Sequence, residues 1–507
     1  MINQSYVLAH RKPFNERFGM FLWPYDHSGY NAVFFKKQLD AALDLGVGLI
    51  SIGSRPDNAN DDVGAIDGAF DMAQNAGMAV RTTLGAGAAL NGDAVDYPNH
   101  IHDMDDWNKR YVQHLAGRNL IWDASNEANN PGFWYGKSSY YDHSLIKDWL
   151  GVDKVLYDYV RQYDPGSIFL NGDLFRSPYD LQKGQWADEW DAMVQYGMMS
   201  FGDAISVHPY LEDAVTGYPH SPESLLQYMA TPDNATLPLV VTEFSYNRST
   251  MDVNQQADWL ARSWFIFDYM QVPFVIHYGF WDEYLDDNGG YSIFDHDWNP
   301  YPAANTLKYW LYELKGYYFN QRFSTGNDST DFVFEYVSGT THKIIGWTSD
   351  SSRQITVNGN QYTITNTPVL LNTFEEEVTF NKITNIYQLK DTFNENIDIA
   401  SQVLNSIGED FIDFISLYTN IQKISSESIG NSFRNQLIIS LTEIQKTIIS
   451  LSNLSKMIGI TDDLGNFYVP EKIAMPNSLM IDNDFMETLN NDFDSLAQVI
   501  NFIKKGV

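Results

Sequence analysis

The stretch IWDASNEANN, residues 121–130, runs a short apolar segment straight into an Asn-Glu pair, Asn126-Glu127. A brief apolar run closed by small polar residues reads as a strand buried on both faces. A second stretch, LPLVVTEFSYN at residues 237–247, has the same form and ends on Glu243. Strands apolar throughout belong to parallel sheets covered by helices. When such a sheet closes into a barrel, the C-terminal ends of its strands carry the chemistry.

Six more stretches extend the pattern on either side. Apolar runs at Phe18–Trp23, Val47–Ile52, Ala79–Thr83, Leu120–Ala124, Ile168–Asn171, Ala204–Val207, Leu239–Thr242 and Phe274–Tyr278 alternate with amphipathic stretches. The clearest of the latter are Ala32–Leu45, Ala65–Ala76, Asp153–Tyr163 and Gln255–Met270. Repeated βα units over residues 1–314 are expected to form a (β/α)8 TIM barrel, with a doubly wound open sheet as the alternative topology. Glu127 and Glu243 then end strands four and seven.

After residue 314 the texture changes. Runs at DFVFEYV (331–337), HKIIGWT (342–348), RQITV (353–357) and QYTIT (361–365) are broken by Asn, Gly and Ser, which predicts a small antiparallel β-sandwich over 315–386. All 13 tryptophans lie at or before Trp347, and residues 387–507 are rich in Ile, Asn and Ser. That tail carries three stripes at alternating three- and four-residue spacing, from Ile397 to Ile421, Leu437 to Leu451 and Met486 to Ile503. They predict a helical bundle, either closed on itself or serving as a docking or oligomerisation module for a further copy or a scaffold.

Composition narrows the partners. A net charge of -33 argues against nucleic acid, whose phosphates need clustered Lys and Arg, and against anionic membrane surfaces. The absence of cysteine excludes disulfides, thiolate nucleophiles and Cys-ligated zinc. The first residues lack the apolar core of a secretory leader, and no apolar run reaches the ~20 residues of a spanning helix. The location expected on that basis is cytoplasmic, particle-associated, or outside the cell by another route. GAGAAL (85–90) lacks the third glycine of a dinucleotide loop, and the acidic runs DNANDD (57–62) and DEYLDDNGG (282–290) match no calcium loop. No cofactor and no metal are expected.

Two glutamates at the ends of separate strands fit retaining glycoside hydrolysis, which needs carboxyl groups about 5 Å apart. Here the chain resembles clan A of the retaining glycoside hydrolases, barrels of the cellulase, mannanase and β-xylosidase kind. In that clan an Asn-Glu pair closes strand four and a Glu closes strand seven, as Asn126-Glu127 and Glu243 do. VHPY (207–210) is similar to the clan's His-x-Tyr after strand six. By resemblance Tyr210 would hydrogen-bond the nucleophile and His208 would contact nucleophile or substrate. FVIHYGFWDE (274–283) resembles strand eight, which makes Trp281 the sugar platform, and GGYSIFDHDWNPYPAANTLKYW (289–310) resembles the closing loop and last helix. Arg55, after LISIGS, stands where the strand-two Arg that holds the nucleophile is expected. One departure is Ser125-Asn126-Glu127-Ala128 where the clan often has Trp-Asn-Glu-Pro; it leaves the pair intact and the family open.

The resemblance implies double displacement on a poly- or oligosaccharide. Glu243 would attack the anomeric carbon while Glu127 protonates the departing oxygen, then activates water. The charge on Glu243 is expected to keep Glu127 protonated. Asn126, His208, Tyr210, Trp281 and Arg55 are the expected substrate-binding residues; Trp281 and Tyr210 also suit plain packing, and Arg55 a surface ion pair. Trp23, Tyr25, Trp134 and Tyr135 lie near strand ends, where they suit sugar stacking. A non-catalytic carbohydrate-binding, adhesion or assembly component built on the same barrel is the alternative.

Overall fold

A computed structural model of the chain describes residues 4–26, 29–53, 62–84, 97–130, 146–183, 188–211, 219–282 and 290–375. Arg55, Trp134, Tyr135, the GAGAAL segment and the whole of 387–507 with its expected bundle lie outside these residues. The chain divides into two units, residues 1–334 with 345–369, and residues 335–344 with 370–507.

Eight parallel strands close into a barrel. They are β1 (Phe18–Leu22), β2 (Leu49–Ile52), β3 (Ala79–Thr83), β4 (Ile121–Asp123), β5 (Ile168–Phe175), β6 (Ala204–His208), β7 (Leu239–Phe244) and β8 (Val275–His277). Closure comes from β1, which pairs with β2 through Gly19↔Leu49 and with β8 through Phe18↔Val275. After α1 (Gln4–Val7), the crossovers carry α2 (Ala32–Leu45), α3 (Asp67–Asn75), α4 (Tyr97–Leu115), α5 (Ile146–Tyr163), α6 (Pro178–Lys183), α7 (Glu189–Gln195), α8 (Leu225–Tyr228) and α9 (Val253–Tyr269). The helix α10 (Pro302–Glu313) follows β8. The open-sheet alternative is thereby set aside.

Local chemistry explains the boundaries. The Asn31 side chain caps α2 by accepting from the amides of Val33 and Phe34, and Gly46 ends that helix at φ +90°, a conformation costly to any residue with a Cβ. Asp252 caps α9 in the same way, through Asn254 and Gln255. Gly19 is required in β1 because a Cβ there would meet the Leu49 carbonyl oxygen at 2.7 Å.

The barrel interior changes character along its axis. At the strand starts it is apolar, with Leu49, Ile121, Ile168, Ala204, Val240, Phe274 and Ile276 clustered under Val7. Toward the strand ends it becomes polar: Ser51, Arg81, Asp123, Asp173, Ser206, His208, Thr242 and His277 are all buried. Ionised groups are not placed in a core at random, since each costs several kcal/mol unless paired, on the order of the net stability itself.

Two register shifts lie on this polar side. Between β5 and β6 the register shifts between Asn171 and Leu174, where Gly172 (φ +103°) and Asp173 (φ +40°) take left-handed backbone. Between β7 and β8, Val241 and Phe244 face Val275 and His277, so the extra residue falls beside Thr242 and Glu243. Such bulges re-aim side chains at barrel rims.

Beyond α10 come β9 (Tyr318–Arg322), β10 (Asp331–Ser338), β11 (Thr341–Thr348), β12 (Arg353–Val357), β13 (Asn360–Ile364) and β14 (Val369–Glu375). They form a four-stranded sheet of order β9-β10-β11-β14 and an antiparallel β12–β13 hairpin. Within the first unit, Trp347 of β11 stacks on Phe265 of α9 (5.7 Å between ring centroids). Its indole Nε1 donates to Glu223 Oε1 at 3.0 Å, and Arg262 of α9 forks onto the same carboxylate. In the second unit, His342 stacks on Phe374 and bonds Glu335 through Nδ1 at 3.0 Å.

Candidate active site

The site begins with Glu127. It is not on β4 but four residues past its end, in a turn where Glu127 itself has φ +46°. A bulky residue held in left-handed backbone is a strained one, and surrounding bonds must fix it. Its amide donates to the Asp173 carbonyl at 2.9 Å, and its carbonyl accepts from the Asn130 amide at 2.7 Å. Ser125 anchors the turn to α5 by donating to Asp153 Oδ1 at 2.9 Å, and the Asn129 side chain brackets Phe175 through both its amide and its carbonyl. Asn126-Glu127 follows the C-terminal end of the strand, which stops at Asp123, and a braced turn carries the glutamate to the mouth. Asn126 sits half-buried in that turn.

Glu243, near the end of β7, meets it there. Glu127, His208 and Glu243 each offer an oxygen or nitrogen, and these atoms all lie within 4.8 Å of one another. His208 Nδ1 is 2.9 Å from Glu127 Oε1 and 3.7 Å from Glu243 Oε2. Tyr210 donates its hydroxyl to Glu243 Oε2 at 3.1 Å, and Asn130 Nδ2 donates to Glu127 Oε2 at 2.8 Å. A cation would find three ligand atoms here. Both ring nitrogens of His208 already face carboxylates, however, so it would have to displace the Nδ1 contact.

Below the pair lies an ion network that the sequence reading missed. Arg81 on β3 donates to Asp123 Oδ2 (2.6 and 2.9 Å), to Asp173 Oδ2 (2.9 Å) and to Ser51 Oγ (3.0 Å). Ser206 donates to Asp123 Oδ1, while Thr242 Oγ1 and His208 Nε2 both reach Asp173 Oδ1 at 2.7 Å. Each of these strands is otherwise uncharged, and a lone charge inside such a run (AVRTT, LIWDA, FLNGDLF) was the available signal.

The electrostatics follow from burial and neighbours. Asp123 is pushed up to about 7 by burial and by Asp173, with Arg81 opposing. Asp173 is held down to about 2 despite burial, because Arg81 and His208 flank it. For His208 burial favours the neutral ring, yet Glu243 and Asp173 outweigh it and raise the ring well above its ordinary value. Burial pushes Glu243 up to about 7, with Glu127 and Asp173 adding and His208 and Arg81 opposing.

The accessory residues divide. His208 and Tyr210 contact the pair. Trp281 sits instead in a rim cluster, stacked on Trp298 at 5.5 Å and donating its indole N–H to the His296 carbonyl. The rings that approach the pair are others. Tyr278 and Tyr291 lie 6.4 and 5.7 Å from Tyr210, Phe21 lies 5.8 Å from Tyr278, and Trp23 and Tyr25 continue the row at 5.6 Å steps. Tyr278 is 36% exposed, so this arc keeps open surface at the mouth. Gly53 permits it, since a Cβ there would meet the Trp23 ring at 2.5 Å. No helix among the described residues is long and apolar enough to cross a membrane.

No protein-family model matches the chain, and no curated protein sequence does. Solved structures do. One is a family 39 glycoside hydrolase from the gut symbiont Bacteroides cellulosilyticus WH2, with a TM-score of 0.51 and 16% identity over 73% of this chain and 82% of that one. Others are the GH39 enzyme from Xanthomonas axonopodis pv. citri (TM-score 0.45, 15% identity, 66% and 72% covered) and GH5_18 from Streptomyces cattleya in complex with GlcNAc (0.45, 14%, 60% and 81%). At 16% identity the first likeness is one of fold alone, the closed eight-stranded parallel α/β barrel.

Proposed function

We propose that the chain is a retaining glycoside hydrolase that cleaves O-glycosidic bonds of a poly- or oligosaccharide. The observation that carries this reading is the meeting of Glu127, in the turn after β4, and Glu243, on β7, within 4.8 Å at the barrel mouth. Retaining enzymes hold their carboxyls about 5–5.5 Å apart, whereas inverting ones leave roughly 6.5–9.5 Å for a water. The roles follow strand order in the resembled barrels. Glu243 attacks the anomeric carbon, and Glu127 gives its proton to the leaving oxygen. Glu127 then takes a proton from water, whose oxygen displaces Glu243 from the ester. Tyr210, His208 and Arg81 are the groups that favour Glu243 as an anion during the attack.

The aromatic arc supports a carbohydrate substrate, since ring faces suit the C–H faces of sugars. Asn126, half-buried beside Glu127, would hold a hydroxyl. The site needs no cofactor for this chemistry.

A panel of polysaccharides and aryl glycosides, with product analysis, tests the reading. Glu243→Gln should abolish turnover of whichever substrate is found. Glu127→Gln should retain turnover of aryl glycosides with good leaving groups, which need little protonation. Unchanged turnover in either variant removes that residue from the mechanism. Binding without turnover of any sugar favours a carbohydrate-binding or assembly role instead.

A further inference from the structure

His208 stands between three carboxylates, and its two nitrogens are not equivalent. Nε2 meets Asp173 Oδ1 at 2.7 Å, and that oxygen also accepts from Thr242 while Oδ2 accepts from Arg81. Arg81 and Thr242 already donate to Asp173, and the adjacent Arg81 charge keeps it an acceptor-only carboxylate, so the Nε2 against it carries the hydrogen. Nδ1 faces Glu127 Oε1 at 2.9 Å and Glu243 Oε2 at 3.7 Å. A neutral ring with Nε2–H would turn a lone pair toward two carboxylates. A doubly protonated ring turns a donor toward them.

We propose that Asp173 is a positioning residue that holds His208 as an imidazolium cation, with Nε2–H on Asp173 and Nδ1–H aimed at the glutamate pair. The glutamates therefore work beside a fixed positive charge supplied from β6 and anchored on β5. The groups facing the ring from the surrounding elements are Asp173 on β5, Glu127 after β4, Glu243 on β7 and Tyr210 just past β6. Arg81 and Asp123 stand behind Asp173. Burial alone would strip the ring of its proton; the ring rises well above its ordinary value because Glu243 and Asp173 outweigh that penalty. The bulge at Gly172–Asp173 has its function here, since it accompanies the left-handed backbone that delivers Asp173 to Nε2.

Asp173 does not touch the sugar in this scheme. It acts through His208, whose charge lowers the cost of ionising Glu243. The consequence for turnover rests on the hydrolase reading, whereas the state of the ring does not.

The test therefore reads the ring directly. The protein is labelled with 15N-histidine, and the His208 signals are identified by their loss in His208→Asn. In the wild type, both ring nitrogens should show protonated chemical shifts from pH 5.5 to pH 8.5. A ring with one unprotonated nitrogen at or below pH 7 overturns the proposal, whatever the enzyme does with sugars. In Asp173→Asn the ring should become neutral at a pH at least one unit lower than in the wild type; no such change also overturns it. If that variant does not fold, the wild-type spectrum decides alone.

Discussion

Replacing Arg81 by Met tests whether the charged half of the barrel is held together by one guanidinium. Arg81 is 1% exposed and is the cation bonded directly to both Asp123 and Asp173. Methionine preserves much of the apolar stem but leaves two buried carboxylates facing each other. Removing one partner of a buried ion pair costs about 3–5 kcal/mol, and here one cation serves two anions, so the upper end is expected. That approaches the whole stability of an ordinary domain, about 5–15 kcal/mol. The loss should depend on pH with a definite sign. Asp123 in the native protein is already raised to about 7, above its unfolded value, so it binds a proton on folding and stabilises less as pH rises from about 4 to 7. Without Arg81 that window extends upward. Urea unfolding of the full chain, wild type against Arg81→Met, should show a loss of about 4–5 kcal/mol at pH 8 that shrinks by at least about 2 kcal/mol at pH 5.5. A loss below about 1 kcal/mol at pH 8 would refute the reasoning, as would one that does not diminish on acidification.

Asp153 offers a second pH test: burial raises it to about 8, its Oδ1 accepts from Ser125 and its Oδ2 is buried without a partner. As a raised carboxyl it destabilises the fold increasingly from pH 4 to 8, so Asp153→Asn should gain on the wild type across that range in thermal melts. Gly19→Ala would put a Cβ 2.7 Å from the Leu49 carbonyl oxygen, backbone that cannot yield cheaply, and should cost about 1–3 kcal/mol in the same assay. For residues 387–507 we propose a self-contained helical bundle. Truncation at residue 388 should then leave a soluble protein of unchanged assembly state by light scattering; loss of an oligomer on truncation would assign the tail to association.

The barrel was legible because its strands are apolar on both faces, and all eight expected runs are barrel strands within one or two residues at most ends. β5 and β7 run longer than expected, to Phe175 and Phe244, because their bulged ends carry polar residues that interrupt the apolar pattern. The glutamates were legible for the same reason, as polar stops on apolar runs. What sits beneath them was not. Arg81, Asp123 and Asp173 come from three strands, and a single charge within a short strand does not reveal its partner until the sheet closes. The cation expected on strand two, Arg55, falls outside the described residues, and Arg81 on β3 acts on Glu243 through space alongside His208. Trp281 was expected as the platform by resemblance, with plain packing as the alternative; it stacks on Trp298, whereas Tyr278 borders Tyr210.

The central claim is that Glu243 forms the glycosyl ester and Glu127 serves as acid and base. Azide rescue addresses it most directly. Glu127→Ala, turning over an activated aryl glycoside, should be accelerated by azide and should release a glycosyl azide with the substrate's own anomeric configuration, read by proton NMR. Glu243→Ala with azide should give the opposite configuration. An inverted azide from the Glu127 variant would exchange the two roles, and no azide product from either variant would contradict the double-displacement account.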